Sequence, residues 1–139
     1  MSGVVAMFGD ALAETAAVLR ARLAERPEAY VSGAKVGARV PTDRDLDARR
    51  LPFVQVAVDG TPDVTYPVVA RSTVRVTVWH VDDDQAHDAA QLAHGLVLAA
   101  STDSASFAAL TGVLRAVDPA SGCALASFTV RASTRGVLA

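Results

Sequence analysis

Hydrophobic positions change period along this chain, and each change marks an element. Val5, Phe8, Leu12, Ala16, Leu19 and Leu23 recur at three- and four-residue steps, which predicts a helix over 4–25. Glu14 lies early in it and Arg20, Arg22 and Arg26 late, as the helix dipole favours, and Pro27 stops it. A strand is expected from Ala34 to Val40, with Gly37 as a candidate bulge. Period two then takes over at 53–58, where Val54, Val56 and Val58 alternate with Phe53, Gln55 and Ala57.

Asp59-Gly60 opens what reads as a wide loop over 59–66, and alternation resumes from Val68 to Val81. Val74, Val76 and Val78 share one side there. Arg71, Thr73, Arg75, Thr77 and Trp79 share the other and are expected to point outward. Asp82-Asp83-Asp84 breaks the strand and offers a helix cap. Ala86, Ala89, Ala90, Ala93, Leu96, Val97 and Ala100 continue as a helical stripe small enough to sit close on a sheet. Segments 110–117 and 123–132 read as a second hairpin about Asp118–Gly122. The closing STRGVLA reads as a mobile tail or an interaction arm.

The expected order is helix, three strands, helix, two strands. Two helices on one face of a mostly antiparallel sheet give an α+β domain spanning residues 1–139. Length agrees, since 139 residues suit one domain. Alanine (28) and valine (21) dominate, so the core must be filled by small side chains on closely approaching elements. A formal net charge of −2 gives no basic surface for nonspecific nucleic-acid binding. No 18-residue uncharged apolar run suggests a membrane span, and the N-terminus does not read as a signal peptide. Arginine outnumbers lysine twelve to one, a ratio that GC-rich codon usage explains without any functional demand.

Candidate chemistry is sparse. Cys123 is the single cysteine, which excludes an internal disulfide and a cysteine-based zinc site. His80, Asp82, Asp83, Asp84 and His87 form the densest polar cluster, with His94 further on. His87 and His94 lie two turns apart, roughly 10 Å at 1.5 Å rise per residue, too far for one metal to bridge. An acidic helix cap accounts for the same residues. Nucleophile elbow, P-loop and dinucleotide fingerprint are all missing from the sequence. No catalytic residue, metal or cofactor is therefore expected. The outward row of Arg71, Arg75 and Trp79 suits a subunit interface, where Arg and Trp are favoured contact residues. The mixed-sign segment TDRDLDARR, with Asp43, Arg44, Asp45, Asp47, Arg49 and Arg50, suits pairing between identical subunits.

Two stretches carry a family resemblance: the opening helix, and LPFVQVAVDGTPDVTYPVVARSTVRVTVWHVDDDQAHDAAQLAHGLVLA. A long strand ending in an aromatic residue, an acidic turn and an alanine-rich helix, followed by two closing strands, resembles the tail terminator (tail completion) proteins of long-tailed bacteriophages. The resemblance implies a virion structural protein that forms a homohexameric ring on the head-proximal end of the tail tube. That ring would stop tube polymerisation and dock the head connector at the virion neck, after assembly in the host cytoplasm. Its implied partners are further copies of itself, the tail tube protein and the head connector protein, with DNA passing through unheld. Its implied contacts are the 43–50 loop residues together with Arg71, Arg75 and Arg131, and no catalytic residues carry over. The alternatives are a head–tail connector or head completion protein of the same assembly, and a small metal-binding enzyme built on the His80–His87 cluster.

Overall fold

The computed structural model describes residues 5–39 and 51–138. Its elements are β1 (Ala6–Phe8), α1 (Ala11–Ala24), a 3-10 turn (Ala29–Val31), β2 (Lys35–Gly37), β3 (Phe53–Thr65) and β4 (Val69–His80). Then follow α2 (Asp83–Ala99), β5 (Ala105–Ala109), β6 (Leu114–Val117) and β7 (Ala124–Leu138). The seven strands form one sheet in the order β1-β7-β4-β3-β2, with β5 and β6 also paired to β7. All pairs are antiparallel except β2 with β3. The α+β class and the mostly antiparallel sheet follow from these pairings.

Val54, Val56, Val74, Val76, Val78, Ala126, Phe128, Val130 and Ala132 are buried on alternate positions of the three long strands. They form one core cluster with Ala11, Ala16, Leu19 and Leu23 of α1 and Ala86, Ala89, Ala90, Ala93 and Val97 of α2. The alanines of α2 thus share the buried cluster with the inward residues of β4 and β7, with which the helix is in contact.

Several expectations are corrected. The first helix starts at Ala11, because the Asp10 carboxylate accepts the Leu12 and Ala13 N–H groups at 2.9 and 3.2 Å as its N-cap. Ahead of that cap Ala6–Phe8 is extended instead, and as β1 it pairs with Leu138–Gly136. No wide loop opens at 59–66. The β3–β4 ladder shifts register between Asp59 and Asp63, with Gly60 at φ +70°, and resumes to Thr65↔Val69. The hairpin turns at Tyr66–Val68, where the Val68 N–H donates to the Thr65 carbonyl at 2.8 Å.

The expected strand at 110–117 shortens to β6 at Leu114–Val117, and β5 at Ala105–Ala109 is a strand that the hydrophobic pattern does not predict. Between them the Leu110 and Thr111 N–H groups both donate to the Thr129 carbonyl, which interrupts the ladder. The STRGVLA segment through Leu138 is neither tail nor arm within the chain. It extends β7, with Ser133–Arg135 pairing Arg71–Val69 and Gly136–Leu138 pairing β1. The expected strand at 34–40 shortens to Lys35–Gly37, with Val40 outside the described residues.

Candidate functional site

The outward row of β4 faces away from the core as its alternation requires. Across the ladder, Arg71 pairs with Ser133, Thr73 with Arg131 and Arg75 with Thr129. Arg131 therefore stands diagonally between Arg71 and Arg75, within reach of both at the usual 7–8 Å diagonal spacing of roughly two strands. Arg75 also pairs with Asp59 on β3 at 2.9 Å. That bridge is solvent-exposed and contributes little to stability, but it fixes where one guanidinium lies. Thr73, Thr77, Ser127 and Thr129 fill the intervals as short, half-buried hydrogen-bonding side chains.

Three charged residues of this face are not expected there from the sequence: Asp59, which lies opposite Thr73, Asp63 and Arg135. Arg135 lies opposite Val69, and Asp63 lies opposite Arg71. Period two does continue from Arg131 through Ser133 to Arg135, but Gly136 masks it as the start of a tail. Asp63 is hidden by the apparent turn at Asp59-Gly60. The loop residues Asp43, Arg44, Asp45, Asp47, Arg49 and Arg50 lie outside the described residues.

Trp79 corrects an expectation. It is on the outward side of β4 but only 6% exposed, so it is not a surface residue of the chain. Its register neighbours are Phe53 on β3 and Leu125 on β7, and its indole Nε1–H donates to the Gln55 Oε1 at 3.3 Å. The face thus has two ends: an arginine-rich end around Arg71 and Arg131, and an apolar end around Trp79.

The histidine and aspartate cluster resolves into local bonds. His80 is buried, with Nε2 2.7 Å from the Tyr30 carbonyl and Nδ1 accepting the Val81 N–H at 2.8 Å. Those partners set the tautomer with hydrogen on Nε2 and occupy both nitrogens. Asp82 caps α2, accepting the Gln85 N–H and side-chain amide, and these bonds hold its carboxyl below the usual range. Asp83 and Asp84 both meet Arg115 of β6. The Cys123 Sγ lies 3.4 Å from the His80 carbonyl, and burial pushes its pKa up, away from the reactive thiolate. His80, Asp82, Asp83 and Cys123 border an open cleft of about 520 Å³. Among the described residues, no group of three or more His, Cys, Asp or Glu is placed to hold a metal.

His94 differs from the other two histidines. Its ring centroid is 4.6 Å from that of Phe128, and Nε2 is buried with no hydrogen-bond partner among the described residues. Burial lowers its pKa. Among the described residues, no helix is long and apolar enough to cross a membrane. Comparison with protein-family models returned no match, and comparison with curated proteins returned none either.

Proposed function

We propose that this chain is a tail-terminator-like structural subunit: a ring-forming protein that caps the head-proximal end of a phage tail tube and presents a docking surface to the head connector. The observation that carries the reading is the outward face of β4 and β7. Twelve register pairs hold it as a rigid surface, and Arg71, Arg75 and Arg131 stand on it among short Thr and Ser side chains. A ring needs one patch that meets a different patch on the next identical copy, repeated until it closes. A sheet face whose backbone is held in register suits that demand, because the positions from which its side chains reach out are set before contact.

Near-neutral charge also supports the reading, since a bore that gripped phosphates would slow DNA passing through it. The neck of a virion, reached after assembly in the host cytoplasm, is the location this role requires. The test is tube polymerisation followed by light scattering, with tail tube protein of the same phage and increasing amounts of this chain. A terminator halts elongation at substoichiometric ratios. Unchanged elongation, with the chain instead binding only the isolated head connector, would favour the connector reading.

A further inference from the structure

The outward stripe of α2 matches the outward face of the sheet in length and charge. Ala86, Ala89, Ala90, Ala93 and Val97 turn inward. The opposite stripe is Asp84, Asp88, Gln91, Gly95 and Ala99, all exposed and spaced at three and four residues. It begins with two acids whose side chains are 88% and 60% exposed, and ends in residues with little or no side chain. Asp84 also meets Arg115 of β6 at 3.0 Å, an exposed pair worth little that leaves most of its carboxylate open to a partner. Among the described residues, nothing outside the helix's own backbone lies within 4 Å of where a Cβ on Gly95 would stand. A helix surface that loses its bulk in this way can lie flat on another element.

From Asp84 to Ala99 the stripe runs roughly 22 Å at 1.5 Å per residue. From Arg71 to Trp79 the sheet face runs roughly 26 Å at 3.3 Å per residue. The sheet face is cationic at one end, with Arg71, Arg131 and Arg135, and nearly apolar at the other, around Trp79. Its two acids, Asp59 and Asp63, leave it net positive and make it a poor track for a polyphosphate, whose charge is continuous. A partner with discrete acids at one end and a flat apolar remainder fits it better.

We infer that the outward face of β4 and β7 receives the solvent stripe of α2 from a second copy of this chain. Asp84 and Asp88 meet Arg71 and Arg131, and Gly95 and Ala99 lie toward Trp79. The contact cannot form within one chain. The inner stripe of α2 already packs on the core side of β4 and β7, so its outer stripe and the arginine face point in opposite directions. Such a front-to-back contact is heterologous, and it closes into a ring or propagates as a filament. This inference rests on the ring-subunit reading and names the surfaces that reading leaves open.

A charge exchange tests it in the full chain by sedimentation equilibrium, with circular dichroism to verify folding. R71E/R131E makes both patches acidic, and D84K/D88K makes both basic. Each variant alone associates at least about tenfold more weakly than wild type, while an equimolar mixture regains association as alternating copies. Gly95→Trp is an independent arm: it adds bulk where the chain itself has open space, so it keeps the fold and lowers association. A mixture no better than either variant alone, or a Gly95→Trp chain that associates as wild type, overturns the inference. If wild type associates and caps tubes in that case, the ring-subunit reading survives it. A wild type that stays monomeric and leaves tubes uncapped removes both.

Discussion

The Pro67 carbonyl oxygen occupies the space in which any side chain at Gly136 would begin. The Gly136 N–H donates to the neighbouring Val68 carbonyl at 2.9 Å, so the β3–β4 turn is seated on the last part of β7. Gly136→Ala would force backbone against backbone, which has no flexible end to yield. The expected loss is about 1–3 kcal/mol in chemical denaturation, the range typical of overpacking. An unchanged midpoint would mean that residues 133–138 are not held in the ladder.

His94 makes stability depend on pH in a definite direction. Burial disfavours its charged form, so its folded pKa lies below the ordinary 6.5 while the unfolded chain keeps the ordinary value. Between those two values the unfolded state binds more protons, and stability rises with pH. Thermal melts should therefore show a melting temperature that falls as pH drops below about 6.5, with the full contribution present above it. His94→Leu keeps contact with Phe128 and should flatten that dependence. An equal slope in the variant would assign the effect elsewhere.

Cys123 should react slowly with a thiol reagent in the native protein. Burial raises its pKa above the ordinary 9.0, and its Sγ is engaged by the His80 carbonyl. Labelling at pH 7 is expected to be at least about tenfold slower than in denaturant, because only thiolate reacts. Equal rates in the two states would show an open, ordinary thiol.

Trp79 gives an optical check on its burial. With Phe53 and Leu125 as register neighbours and Gln55 bonded to its indole, its emission should be blue-shifted and poorly quenched by acrylamide in the monomer. Emission and quenching like those of a free indole would return Trp79 to the surface.

The three long strands and α2 were legible because one period dominates each of them. Val74, Val76 and Val78 can be buried together only in an extended chain, and Ala86, Ala89, Ala90 and Ala93 only in a helix. Val5 and Phe8 also fit the helical period, and only the Asp10 cap, a bond of local geometry, separates them from α1. Asp59-Gly60 carries the composition of a hairpin turn, yet pairing with β4 continues past it after a register shift. Gly136 resembles a terminator of structure, but its lack of a side chain is what lets the Pro67 turn close on β7. For the candidate site, alternation was enough to put Arg71, Arg75 and Arg131 on outward positions. It could not show that strand register sets Arg131 between the other two, or that Phe53 and Leu125 flank Trp79. Those are relationships between strands, and period along one strand does not encode them.

In the proposed role, copies of this chain close into a ring at the end of a tail tube. Electron microscopy of tubes assembled with and without the purified chain tests it most directly. Tubes bearing a ring-shaped density at one end are expected, with rotational symmetry in averaged end-on views. Tubes with bare ends at saturating amounts of the chain, with the chain still monomeric in the same sample, would contradict it.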